Sequence, residues 1–183
     1  MTVEVVPHEP NWSAQFEWER RRLEGVLVSR LTGPVEHIGS TAVPGLPAKP
    51  ILDMIGGVHH LDLARSAIEP LAELGYVYTE HRPSALYFYR ARPGQNFLDD
   101  ATHTHHLHLT QPGSDIWQER LAFRDALRAD PELARRYSDL KQGLAQIYRD
   151  DPIAYTEGKR EFVSEVLAGA GIALQTNFDT LQL

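Results

Sequence analysis

The residues with chemistry to offer concentrate in two stretches of the chain. Gly39-Ser40 opens a loop that runs to Pro50, and Asp53 follows thirteen residues after Ser40, inside the apolar run Ile51-Leu52-Asp53-Met54-Ile55. A glycine lets the backbone approach a phosphate closely, while a serine hydroxyl and exposed amides can cradle its oxygens. A carboxylate on the adjacent strand can hold a divalent cation that bridges those phosphates. Taken alone, the Gly-Ser pair is weak evidence and reads more simply as an ordinary turn; the buried aspartate that follows it strengthens the functional reading. The second stretch is Thr104-His105-His106-Leu107-His108-Leu109-Thr110. Strand alternation sends Leu107 and Leu109 to one face and His106 and His108 to the other. Two imidazoles placed in this way can converge on a metal, or on a phosphate when protonated. The plainer alternative is a pair of histidines lining a wet sheet face and bonded to carbonyls. His105 shares the leucine face and reads as packed; His103 stands at the start of the strand.

Basic side chains are available to complete an anion site. Lys49 ends the Gly-Ser loop, and Arg124, Lys141 and Lys159 follow in the C-terminal third. Arginine gives planar, bidentate phosphate contacts, whereas lysine acts as a mobile point charge. Each also suits a solvated helix face, the preferred reading for Lys141. Tyr155 lies four residues before Lys159 and shares its helix face, where it binds substrate or covers an apolar stem. Tyr87 and Tyr89 share a strand face and could stack on a base, although sheet packing is the commoner explanation. His59-His60 reads as a cap or turn feature.

Stepping outward, the pattern predicts the elements that must position these groups. Apolar residues at helical spacing over 11–31 predict one amphipathic helix, with Asn11 or Ser13 as its cap. A short strand over 35–38 precedes the loop, and 51–55 reads as a strand buried on both faces. A helix is expected over 60–74, closed by Gly75. Three strands follow over 76–79, 85–91 and 104–110, with a polar loop over 92–102. Helices are expected over 114–129, 131–149 and 152–168, the last two opened by Asp130-Pro131 and Asp151-Pro152. The expectation is an α/β fold of one domain over 1–168. Its sheet core spans about 35–111 and its C-terminal helices about 114–168, with a loosely held tail over 169–183.

The composition bounds the possibilities. A chain of 183 residues, 42% hydrophobic and 23% charged, can bury a core, and its net charge of −7 disfavours a nonspecific grip on nucleic acid. The absence of cysteine removes disulfides and thiolate chemistry. The first twelve residues carry neither a basic n-region nor an apolar h-region, and no apolar run approaches the length of a membrane span. A cytoplasmic protein without membrane contact is expected.

The stretch His37-Ile38-Gly39-Ser40-Thr41-Ala42-Val43-Pro44-Gly45-Leu46-Pro47-Ala48-Lys49-Pro50-Ile51-Leu52-Asp53 closely resembles the signature of GrpB-like proteins. The resemblance continues through Thr104 to Leu109 and Leu121 to Arg128, then Tyr137, Leu140 and Lys141, and ends at Tyr155-Thr156-Glu157-Gly158-Lys159. It covers about 5–167 and implies a nucleotidyltransferase-like mixed β-sheet flanked by helices, with the Gly-Ser turn beside the metal strand. Some relatives are joined to a dephospho-CoA kinase, which points toward nucleotide or coenzyme metabolism. Active members of the wider superfamily carry two carboxylates one residue apart on that strand, where they share two cations about 3.5–4 Å apart. Here the partner position of Asp53 is Ile55.

These readings set a leading expectation: an enzyme acting on a nucleotide or other phosphorylated small molecule through a divalent cation, Mg²⁺ or Mn²⁺, at Asp53. Gly39 and Ser40 bind phosphate, His106 and His108 complete the metal or acid–base set, and Lys49, Arg124 and Lys159 offset phosphate charge, with Tyr155 alongside. One competitor is a catalytically retired module that still binds a nucleotide or partner. Another is a single-metal hydrolase built on the His-x-His strand, for which Zn²⁺ or Fe is as suitable as Mn²⁺.

Overall fold

The structure is a computed structural model and describes residues 3–95 and 102–175. Helix α1 (Trp12–Leu27) is followed by strand β1 (Glu36–Ile38) and β2 (Leu52–Gly57). Two short helices, α2 (Leu61–Ala64) and α3 (Ile68–Glu73), lead to β3 (Val77–Arg82), β4 (Ala85–Ala91) and β5 (His103–Thr110). Four helices follow among the described residues: α4 (Asp115–Ala129), α5 (Pro131–Ile147), α6 (Pro152–Glu157) and α7 (Arg160–Gly169). The strands form one mixed sheet of order β1-β2-β5-β4-β3, in which only β2 and β5 run parallel. The α/β architecture expected from the sequence is the one observed.

Alternation divides the sheet chemically. One face carries Met54, Leu86, Phe88, Leu107 and Leu109, which pack on Leu23 and Leu27 of α1 and on Ala64, Ala67 and Leu71 of the α2–α3 segment. The other face carries Asp53, Tyr87, Tyr89, His106 and His108, all buried. A second apolar cluster joins Val43 and Leu46 of the loop to Phe123, Leu127, Tyr137, Val163 and Leu167. The C-terminal helices are thereby fastened to the loop that follows Gly39.

Several boundaries differ from the periodicity, for identifiable reasons. The helix expected over 60–74 is split by a 3₁₀ segment, Arg65–Ala67. Pro70 has no N–H to donate to the carbonyl of Ser66, and the Arg30 guanidinium takes that carbonyl instead at 3.3 Å. The helix expected over 152–168 breaks at Gly158-Lys159, where Lys159 N donates to Thr156 O, three residues back. A Cβ at Gly158 would collide with Leu144, so the glycine permits α6 to lie close on α5. Asn11 occupies the N-cap of α1 without a side-chain capping bond. Asp130 and Asp151 do cap α5 and α6, each with proline next in the chain. Part of the polar loop expected over 92–102, and the tail beyond 175, lie outside the described residues.

Candidate functional site

Asp53 and His106 face each other across the parallel β2–β5 pair, where the register sets them as direct neighbours. His106 Nδ1 lies 2.8 Å from Asp53 Oδ1. A carboxylate only accepts, so Nδ1 carries the proton and His106 Nε2 is left as an acceptor. That nitrogen lies 3.1 Å from His103 Nδ1, which supplies the donor. Burial lowers the His106 pKa, against the opposing pull of its bond to Asp53, and the ring stays neutral.

The presence of His103 in this chain of bonds depends on a β-bulge. Arg90 pairs with His105 but Ala91 pairs with His103, so β5 carries an extra residue, Thr104, at this point. The bulge turns His103 onto the face of His106, whereas strict alternation would have placed it with His105. Tyr89 stacks on the His103 ring at 4.2 Å, and Tyr87 lies 5.7 Å from His106 and 5.0 Å from His108. The tyrosines thus pack on the histidine face. His105 lies on the opposite side and accepts a 2.7 Å bond from Arg90, which also pairs with fully buried Glu19 at 2.9 Å.

Gly39 explains the position of the carboxylate. Its φ of +69° is left-handed, and a Cβ there would run into Asp53 Oδ2. No side chain fits between the loop and the strand. Thr41 Oγ1 donates to Ile51 O at 3.1 Å and accepts from His37 Nε2 at 3.0 Å, which ties the loop back to the start of β2.

Ser40, Thr41, Lys49, Asp53, His106, Lys141 and Tyr155 line one narrow cleft. Lys141 is not solvated: it is 1% exposed and donates to Ser40 Oγ at 2.9 Å and Pro47 O at 2.5 Å. Burial pushes its ammonium down to about 7, with Asp53 opposing. Lys159 is 0% exposed, and burial drives it well below the usual lysine range; Lys49 and Lys141 add repulsion, while Asp53 again opposes. Lys141 Nζ sits 4.8 Å from the Tyr137 ring and Lys159 Nζ 4.7 Å from the Tyr155 ring. In both pairs the tyrosine precedes the lysine by four residues. That repeated spacing is the sequence signal that would have put Lys141 in the site.

Lys159 is not among the lining residues, and two further expected residues stand elsewhere. Arg124 is not among the residues lining the cleft; its guanidinium holds Glu36 at 2.7 Å, His37 O at 3.0 Å and Asp125 at 2.8 Å, fastening α4 to β1. His108 pairs in register with Ile55, one rung beyond Asp53 on the same face. The expected trio of Asp53, His106 and His108 is therefore divided, and among the described residues no three His, Asp or Glu side chains gather into a set that could hold a metal. The donors that are present suit a divalent cation poorly. Asp53 Oδ1 is already bonded, both nitrogens of His106 are engaged, Ile55 is apolar, and Lys49 and Lys141 line the same cleft as the remaining carboxylate oxygen. Among the described residues no helix is long and apolar enough to cross a membrane.

Comparison with known proteins agrees with this architecture. The glutamate-rich protein GrpB of Alkalihalophilus pseudofirmus is 35% identical over 168 residues, covering 90% of this chain and 94% of the relative. A dephospho-CoA kinase of Mycolicibacterium paratuberculosis is 30% identical over 86% of this chain, which spans 43% of that enzyme. The crystal structure of the conserved protein GrpB from Enterococcus faecalis superposes with a TM-score of 0.80 at 31% identity, covering 91% of this chain and 96% of that one. The family model described as GrpB protein matches residues 2–169. With that match, the shared sheet and the Gly39–Asp53 signature, the chain belongs to the GrpB family, within the nucleotidyltransferase-like superfamily.

Proposed function

We propose that the cleft at Asp53 binds a nucleotide or another phosphorylated small molecule, with its phosphate against Ser40 and the lysines and its reacting group beside Asp53. The observation that carries this reading is that Lys49, Lys141 and Ser40 line a cleft whose lining holds a single carboxylate, Asp53. Ammonium groups and a hydroxyl donor match the acceptor oxygens of a phosphate. Asp53 Oδ1 is held by His106, so Oδ2 is the oxygen that can take a proton from a bound hydroxyl or water. The partial kinship to a dephospho-CoA kinase supports nucleotide handling, although that kinship covers under half of the kinase.

The test is isothermal titration with ATP, GTP, CoA and dephospho-CoA against the wild-type protein and Lys49→Met, a partly exposed position in the cleft. Saturable heat with at least one of these, weakened roughly tenfold in the variant as expected for loss of one charge-assisted contact, supports the reading. No heat from any of them, or equal affinity in the variant, would end it. Ile55 favours a second reading, in which the site binds without turnover: the strand offers one carboxylate where paired carboxylates would activate a reaction. Ligand recovered unchanged after prolonged incubation separates binding from catalysis.

A further inference from the structure

We propose that the lysines of this cleft do the electrostatic work of a metal ion, so that the site binds a polyphosphate chain without a divalent cation. The proposal rests on the phosphate-binding reading above and specifies its ligand class: a di- or triphosphate group whose charge is met by ammonium groups.

Charge around Asp53 favours an anion. Asp53 shares the cleft with Lys49 and Lys141, and Lys159, outside that lining, feels the charges of all three and of Arg120. A divalent cation entering this cluster finds one available carboxylate oxygen, and its charge opposes protonation of the neighbouring lysines. A chain carrying several negative charges meets complementary charge.

The ammonium groups are held in place before any ligand arrives. Lysine is seldom fully buried, because desolvation of the ammonium is costly. Here two lysines, Lys141 on α5 and Lys159 at the α6–α7 break, are buried to 1% and 0% exposure, each over the ring of a tyrosine four residues earlier. Lys141 is further fixed by Ser40 Oγ and Pro47 O, which hold two of its donors and leave a third for a ligand. The side chain that a phosphate oxygen would meet is therefore already positioned on the serine of the loop. Burial favours the neutral amine at both lysines, and an incoming polyanion reverses that preference by supplying the missing counter-charge.

The histidines are already engaged or offset. His106 is bonded at both nitrogens, to Asp53 and His103, and His108 pairs in register with Ile55. Recruiting His106 as a ligand would require dismantling a buried hydrogen-bond chain.

The test uses inorganic tripolyphosphate as the probe, titrated calorimetrically into the full chain, once in EDTA and once with excess Mg²⁺. The expected result is saturable binding in EDTA, as tight as with Mg²⁺ or tighter, since free Mg²⁺ competes for the phosphate. Asp53→Asn is expected to bind equally well or more tightly, because a negative charge has been removed. Lys141→Met, which keeps the apolar stem, is expected to weaken binding at least tenfold in EDTA. Binding that appears only with Mg²⁺, or that falls tenfold or more in Asp53→Asn, overturns the metal-free site while leaving a phosphate site standing. Absence of binding in both conditions overturns both readings. The comparison of EDTA with Mg²⁺ uses only the wild-type protein, so it decides even if a lysine variant fails to fold.

Discussion

Asp53 and His106 are neighbours across two parallel strands, and their side chains are joined at 2.8 Å with the imidazole as donor. The bond fixes the carboxylate's rotamer and the histidine's tautomer together. Asp53→Ala leaves the His106 Nδ1–H buried without its acceptor, at a cost of about 1–3 kcal/mol in unfolding free energy. Asp53→Asn retains an acceptor oxygen and is expected to lose less. Urea denaturation of the two variants checks the order; equal losses would show that the hydrogen bond to His106 contributes little.

Gly39 and Gly45 provide a matched pair. Both have left-handed φ, +69° and +78°, but a Cβ at Gly45 meets nothing within 4 Å, whereas one at Gly39 strikes Asp53. Gly45→Ala is expected to cost about 1 kcal/mol from the dihedral alone. Gly39→Ala should cost roughly twice that or more and should weaken ligand binding, because the carboxylate must move. Similar stabilities for the two variants would show that the loop has room beside Asp53.

Arg124 acts as a fastener between α4 and β1. Arg124→Met leaves Glu36 and His37 O without their shared donor and is expected to lower stability by about 1–3 kcal/mol. Nucleotide affinity, measured below the unfolding transition, is expected to change less than about threefold, well under the tenfold step that a lost phosphate contact would produce. A large affinity loss at unchanged stability would return Arg124 to the binding site.

Acid should destabilise the fold before its carboxylates are protonated. Burial lowers His37 to about 4 and His105 to about 3, and it lowers His106 as well, from an ordinary value of 6.5. Above that value these rings are neutral in both states. Below it the unfolded chain binds protons that the native protein refuses, so stability falls as pH drops from 6.5 toward 4. The slope is at most about 1.4 kcal/mol per pH unit for each histidine. Urea midpoints at pH 7.5, 6 and 5 should descend, and His37→Gln should flatten the descent. A level profile would contradict the neutral assignment.

The sheet was legible in the sequence because its strands are short, apolar on one face and separated by glycine and proline. The alternation of Leu107 and Leu109 against His106 and His108 translated directly into two faces. Asp53 stood out as the lone carboxylate in a buried strand, and it is among the residues lining a cleft. Pro70 was visible, but its effect was hidden by strong helical spacing around it. His103 was out of reach, since a bulge at Thr104 reverses its side and no local residue signals that bulge. Lys141 was misplaced because helical periodicity treats a lysine as surface, whereas tertiary packing buried it over Tyr137.

The most direct test of the central claim is a crystal structure of the protein soaked with ATP in EDTA. The account predicts phosphate oxygens within hydrogen-bond distance of Ser40 Oγ and Lys141 Nζ, with Asp53 beside them. Nucleotide seated instead on the opposite sheet face, in the cavity between Trp12, Arg90 and His105, would contradict it.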